Sequence, residues 1–555
     1  MAGDRRCGAA RTTGGRPPGR LALGVGFFGI GGWVNSAAAA SPPRVVVIGS
    51  GHNGLVAAAY LARAGLQVTV LERDTEIGGA CRTSEIFPGV RGSTYSSTLW
   101  AFEPKIIDDL DLRRRGVRWS MIDPTIHSVG AGEAVVNWSD RQRTAKEIAR
   151  ISGADALRLG EFDAYWQRAR ALLRPFMLTD PPSPEGLAAH ADMVGDRALW
   201  EELTTISLSE VCGRFFTDPR VHAAMATLSD FGFPWAAGTA LLTAHGRAKA
   251  SLGGAAVIEG GMGKLTTALA EAALHHGAAI RTAKCVDRIL VDGSDGAGVW
   301  GVRLDDGSEI RCDVVISNAD PKTTMSRLID AADAPDGVLA DVERLQTSVS
   351  TLTLHCLLDR PPSVNAILEP DRRPDRPGYI TIASSLDQYG RAYAEACDGH
   401  VPQMPILHLE TPTLYDPTAQ GHGRHLMSIW VQYAPGAPRN GSWDQLRSAT
   451  TSHLLDIVEQ HLPGTLDTVL DSRLVTPADL ENRLGLTEGN INHIDLVPTQ
   501  LFSRRPLPGW GYRTPIPSLY LCGAGTHPGG SVSGASGHNA AATVLADVGG
   551  APGRN

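Results

Sequence analysis

Cysteine is scarce in this chain and scattered. The eight thiols, at 7, 81, 212, 285, 312, 356, 397 and 522, form no C-x-x-C, no C-x4-C and no cluster with histidine at metal-ligand spacing. That pattern argues against a zinc site, a redox-active dithiol and a disulfide scaffold, so no metal is expected and the thiols read as small packing residues. Lysine is scarcer still, six of the 51 basic residues. An arginine run such as 113–115 therefore reflects a general arginine bias and is read as a solvated face. The net charge of -8 leaves no footprint for nucleic acid. Aromatic residues make up 6% of the chain, and the apolar run at 21–34 covers 14 residues, short of the ~18 of a confident membrane span. There is no internal repeat and no low-complexity region beyond the alanines at 37–40.

What is present is the composition of a folded protein, 43% hydrophobic and 20% charged, in a chain of 555 residues that is too long for one ordinary core. Residues 1–43 stand apart, with arginines up to Arg20, then "LALGVGFFGIGGWV", then "NSAAAASPP". They resemble an export signal peptide. The alternative is an extension without that role, on a cytoplasmic protein. From Arg44 on, three segments have α/β patterning. Residues 44–120 open with the buried-strand run "RVVVI", an alanine-rich helix expected from about Leu55 to Ala64 with Gly65 as its stop, and the strand "QVTVLE". Residues 256–330 carry a helix with Leu265, Ala268, Leu269 and Ala272 on one face, then alternating strands joined by a tight turn at Asp306 and Gly307. Residues 510–548 read as a strand, a glycine-rich turn and a small-residue helix beginning near Val532, before a tail at 549–555. The blocks between, 121–255 and 331–509, are candidates for an inserted substrate domain in two parts.

Gly49, Gly51 and Gly54 form G-x-G-x-x-G between strand and helix, and Glu72 follows 18 positions after Gly54 at the end of the next strand. Each position has a mechanical reason: Gly49 for the tight turn, Gly51 for approach of the backbone to a diphosphate, Gly54 for close helix packing, and Glu72 to accept from a ribose. The diphosphate then rests on the helix N-terminus. A carboxylate at that position disfavours the 2′-phosphate of NADP. The continuation "RDTEIGGACRT" adds Arg73, a second glycine pair at Gly78 and Gly79, and Arg82. In FAD enzymes this stretch covers the diphosphate and ribityl regions, and an arginine there pairs with phosphate. Near the C-terminus, "GAGTHPGGSV" before a helix aims backbone N–H groups at the pyrimidine edge of a flavin.

On "GSGHNGLVAAAYLARAG", "ERDTEIGGACRT", "GGMGKLTTALAEAA", "VVISNADP", "EGNINHIDLVPTQLFSRRPLPGW" and "LYLCGAGTHPGGSVSGASGHNAA", the chain resembles the FAD-dependent oxidoreductases related to bacterial phytoene desaturase. Within that family it is most like the branch called pyridine nucleotide-disulfide oxidoreductase domain-containing protein 2, although no cysteine pair answers to the disulfide in that branch's name. The resemblance runs from Arg44 to about Val548. It implies an α/β fold: a Rossmann-like FAD-binding domain of the glutathione reductase type, assembled from three segments, with an inserted α+β substrate domain. It also implies that Val286 holds the adenine through its backbone and that Val532 approaches the isoalloxazine. Where many FAD enzymes carry Gly-Asp, this chain has Gly523 and Ala524, so the aspartate contact to the ribityl chain is missing.

The implied activity is that of an FAD-dependent oxidoreductase with noncovalent flavin, taking a hydride from a small, largely apolar organic substrate, polyene-like or lipid-like. Reoxidation would be by oxygen, a quinone or another acceptor, and such a substrate suggests peripheral membrane contact. His527, inside the glycine-rich turn, is the expected catalytic histidine if a general base takes part, with bracing of the turn as its bland alternative. His493 and Glu488 of "EGNINH" are substrate-side candidates, more readily loop-bracing residues. Two rival readings stand beside this one. A flavin amine oxidase wants aromatics flanking the amine, and no aromatic pair stands near the end motifs. An FAD-containing interaction protein would show little turnover.

Overall fold

The computed structural model describes residues 41–226, 234–292, 298–419 and 423–550. The expected export segment therefore lies outside the described residues up to position 40, as does the tail from 551. The run "RVVVI" forms the strand Arg44–Ile48 at the centre of a five-stranded parallel sheet. Its neighbours are Gln67–Leu71 and Val314–Ser317, and the edges are Ala279–Arg281 and Leu519–Leu521. Val45 lies opposite both Val68 and Val314. Both faces of this sheet are covered, which explains why its central strands are continuous apolar runs.

One face carries three helices: His52–Arg63, Gly263–His275 and Ala535–Gly550. Ala57, Ala58 and Ala59 of the first are wholly buried, so the first helix packs directly on both others. It begins at His52, three residues ahead of the expected Leu55, and it ends where Gly65 adopts φ +92°. The C-terminal helix begins at Ala535, three residues later than Val532, after Gly534 at φ +73°. The other face carries a three-stranded antiparallel sheet, Val286–Val291, Val299–Leu304 and Glu309–Arg311, whose Ile289 and Val302 pack with Val46, Ile48 and Val315. Gly307, at φ +80°, makes the expected hairpin turn.

A second, seven-stranded sheet draws on distant parts of the chain. Its order is Val469–Val475, Ser350–Leu358, His425–Ala434, Ile406–Glu410, Tyr379–Ile382, Thr125–Gly130 and Glu133–Asn137. One face buries Ile126, Ile380, Leu407, Leu409, Ile429 and Val431 in a core shared with Leu454, Ile457 and Val458 of the helix Trp443–His461. Strand geometry sends the alternate residues to the opposite face. Those residues face a cavity. A cluster of helices that includes Gly153–Leu173 and Thr239–Lys249 closes it from another side.

Candidate functional site

The cavity measures about 1030 Å³ and runs from the parallel sheet to the seven-stranded one. At its first end the G-x-G-x-x-G residues have the geometry their spacing implies. Gly49 sits at φ +90° with its N–H donating to the Leu71 carbonyl at 2.8 Å. Gly51 pairs with Gly78 in a parallel bridge, and a Cβ on Gly51 would stand 2.7 Å from Asn318 Nδ2. At Gly54 a Cβ would lie 2.3 Å from the Gly49 carbonyl oxygen, a collision with backbone that only glycine avoids. No side chain caps the helix at His52, so its N-terminus faces the cavity at the point where an anion would be held.

Glu72 is buried at the rim of this cleft. Its Oε2 accepts from the Ser50 N–H at 2.9 Å and the Ser50 hydroxyl at 2.7 Å, and its Oε1 accepts from the Asp74 N–H at 3.0 Å. A carboxylate has about four acceptor positions, so about one, on Oε1, is left for a ribose hydroxyl. Arg73 also lines the cleft, with its guanidinium against Gly485. Arg82 lines it while held by Asp74 at 2.7 Å and by the Glu76 carbonyl at 2.9 Å; its Nε, buried, has no hydrogen-bond partner. That leaves guanidinium N–H groups for a ligand oxygen. Gly79, at φ +54°, lines the cleft beside Gly51, whereas Gly78 supports it from behind, donating to the Ser50 carbonyl at 3.1 Å. Val286 lies at the same end. Ala524 and Val532 are on the wall farther along, and Gly523 lies under His493, where a Cβ would come within 2.6 Å of the imidazole. The uncapped helix end, the carboxylate with a spare acceptor, the arginine with an orphaned donor and the glycine cradle together fit an FAD.

His527 does not reach this wall. Its Nε2 lies 2.8 Å from the Phe176 carbonyl and burial pushes its pKa down to about 4, so it braces the turn instead of facing the cavity. The histidines that do reach the cleft are His52 and His493. His493 is held at φ +67° and Ser531 at φ +85°, two non-glycine residues in the left-handed region on the cavity wall. Glu488 is off the wall, accepting from the Thr347 hydroxyl. Cys81 is buried with its thiol pushed up to about 12, and Cys522 is raised as well, both by desolvation, so neither thiol is poised to ionise. Sequence reasoning passed over Arg505, which is fully buried and donates to the carbonyls of Asn492 at 2.7 Å, Ile494 at 3.1 Å and Ala524 at 2.7 Å. One guanidinium thereby ties the "NINHID" loop to the glycine-rich turn.

At the far end, strand register aligns His127, Thr381, His408 and Trp430 across four neighbouring strands, and Tyr379, Glu410 and Ser428 one step along. His408 Nδ1 lies 3.2 Å from the Thr381 hydroxyl and its Nε2 3.1 Å from Gln432 Oε1. Burial pushes both His127 and His408 down to about 4, which leaves them neutral, and pushes Glu410 up to about 7. Trp100, Trp138, Trp166, Tyr379, Tyr389 and Trp430 add aromatic surface. Opposite them Arg141 grips Asp163 through two hydrogen bonds of 2.8 and 3.0 Å. Few as they are, the aromatics are gathered here, which removes the ground on which an amine oxidase ranked lower.

Residues 54–545 match the family model of flavin containing amine oxidoreductases. The chain is 32% identical to pyridine nucleotide-disulfide oxidoreductase domain-containing protein 2 of Rattus norvegicus, over 91% of this chain and 93% of the rat protein. It is 29% identical to a limonene dehydrogenase polypeptide of Castellaniella defragrans, over 91% and 95% of the two chains. With hydroxyneurosporene desaturase of Cereibacter sphaeroides the identity is 27%, over 91% and 98%.

Proposed function

The chain belongs to the flavin containing amine oxidoreductases and is an FAD-dependent oxidoreductase, and from that premise we propose that it dehydrogenates a largely apolar, isoprenoid-like substrate. The observation that carries this reading is the continuity of the cavity: a cleft built for a dinucleotide opens directly into a chamber walled by tryptophan and tyrosine. Bound noncovalently, the flavin supplies the two-electron acceptor. The residues of the chain do the rest. Glu72 orients the adenosine ribose, the His52–Arg63 helix carries the diphosphate on its N-terminus, and Arg505 holds the loop and turn that shape the ring's end of the cleft. The aromatic wall displaces water from an apolar substrate. Limonene and hydroxyneurosporene, named for two of the relatives, are both isoprenoids. Electrons then leave to oxygen, a quinone or another acceptor.

The aromatic wall also favours a second reading, oxidation of an amine between ring faces. One experiment separates the two: anaerobic mixing of the holoenzyme with isoprenoids (limonene, neurosporene, geraniol) and, separately, with benzylamine and cyclohexylamine, while the flavin absorbance is followed. Bleaching by isoprenoids alone is the expected result. Bleaching by amines alone would replace the proposal with the second reading, and no bleaching by either class would count against both.

A further inference from the structure

Glu410 is the most anomalous polar group on the cavity wall. It is 6% exposed and lines the chamber; its Oε1 accepts from the Thr98 hydroxyl at 3.3 Å, yet its Oε2 has no hydrogen-bond partner. His127, also 6% exposed and on the same wall, has an unpartnered Nδ1. A buried carboxylate oxygen without a partner is costly, and such a group in a cleft is where a ligand or a proton is expected to supply what the fold does not.

The surroundings explain why this oxygen stays unsatisfied. Tyr379 lies opposite Glu410 on one neighbouring strand and Ser428 on the other, with His355 joined to the Ser428 hydroxyl at 2.9 Å from the strand beyond. His408 is two residues back on the same strand, and Ser97 and Thr98 approach from the segment above. No cationic side chain is paired with Glu410 among the described residues. The imidazoles around it are neutral, because burial holds His127, His355 and His408 near 4. The other carboxylates of the chamber are committed: Asp163 to Arg141, and Asp123 to the N–H and hydroxyl of Ser139 at 2.8 and 2.6 Å. Glu410 alone combines a place on the wall with a free acceptor.

We propose that Glu410 is the proton acceptor of the chamber, taking a proton from the substrate carbon adjacent to the one that yields the hydride. The proposal rests on the dehydrogenase reading above. In the step, one C–H bond breaks with both electrons leaving as hydride to the flavin. The neighbouring C–H bond breaks with its electron pair retained as the new C=C bond, and its proton passes to Glu410 Oε2 and later to water. The substrate loses two electrons and two hydrogens, and the flavin gains two electrons. Desolvation, which raises the carboxyl to about 7, keeps it a stronger base than the imidazoles beside it.

The test uses the full-chain holoenzyme, wild type and Glu410→Gln, with two readouts. Infrared difference spectra between pH 5 and 9 should show a protonated-carboxyl band that fades with a midpoint near 7 in the wild type and is absent in E410Q. Anaerobic bleaching by limonene, neurosporene and geraniol should accelerate through the same midpoint in the wild type. In E410Q, bleaching should be slower by about a hundredfold or more and flat with pH, although FAD content and reduction by dithionite are unchanged. Glu410→Asp should recover part of the rate. A wild-type flavin that bleaches, beside an E410Q flavin that bleaches equally fast, overturns the proposal and leaves the dehydrogenase reading intact. A carboxyl band that is missing, or that titrates below about pH 5, overturns it too. A wild-type flavin that none of the compounds bleaches brings down the dehydrogenase reading and this proposal together.

Discussion

Replacing Glu72 with alanine probes the cofactor cleft at its most informative residue. Three of the carboxylate's acceptor positions are taken by the Ser50 N–H, the Ser50 hydroxyl and the Asp74 N–H, so the variant removes about one bond to a ribose hydroxyl. A hydrogen bond to a charged acceptor contributes about 1.5 to 3 kcal/mol, which corresponds to a rise in the FAD dissociation constant of roughly tenfold to 150-fold. The loss has a second part. Ser50 is fully buried, and its N–H, left without an acceptor, costs about 1 to 3 kcal/mol of folding stability. Titration of apoprotein with FAD, followed by flavin fluorescence, reads the first effect, and the urea midpoint of the apoprotein reads the second. Glu72→Gln keeps one acceptor oxygen and should fall between wild type and alanine on both scales. An alanine variant with wild-type FAD affinity would show that Glu72 only organises the turn at Ser50, and the ribose assignment would be lost.

Acid precipitation should release the flavin into the supernatant; colour that stays with the pellet would contradict noncovalent binding. Arg505→Met leaves several buried carbonyls without a donor, a cost of at least about 3 kcal/mol, and should give colourless or insoluble protein; a stable yellow variant would refute the tie between loop and turn. A chain ended at Ser518 loses the edge strand Leu519–Leu521 and the helix Ala535–Gly550 and should bind no FAD, so soluble protein with stoichiometric flavin would contradict the fold described above. His52, His127, His355, His408, His493 and His527 are each held near 4 by burial, against about 6.5 in the unfolded chain. Unfolding near pH 5.3 should therefore take up roughly four to five protons, Glu410 offsetting one, and stability should be lost as pH falls from about 6.5 to 4. Denaturation midpoints that stay flat over that range would refute the burial argument.

The cofactor half of the site was legible because its determinants are local. Gly49 to Gly54 and Glu72 lie within one strand-helix-strand unit, and each glycine answers a steric demand that spacing alone reveals. The substrate half was not, for two reasons. Its wall joins Thr125–Gly130 to strands that begin at Ser350, and no short-range pattern announces that pairing. Both faces of those strands are also buried. "ILHLE" is buried at every position, so His408 and Glu410 do not stand out as an exposed polar alternation would. The signal that could have found them is a histidine and a glutamate alternating with leucines inside a run too short for a helix. His527 misled for the opposite reason: its motif does reach the cavity, through Ala524, Ser531 and Val532, but its own side chain turns back toward Phe176.

The most direct measurement is a single turnover of the holoenzyme with neurosporene under anaerobic conditions, with the flavin absorbance and the mass of the extracted product read together. Dehydrogenation requires one equivalent of flavin bleached for each molecule of product two hydrogens lighter than the substrate. Bleaching without that product, or an unchanged flavin beside recovered substrate, would contradict dehydrogenation of an isoprenoid as the reaction this cavity performs.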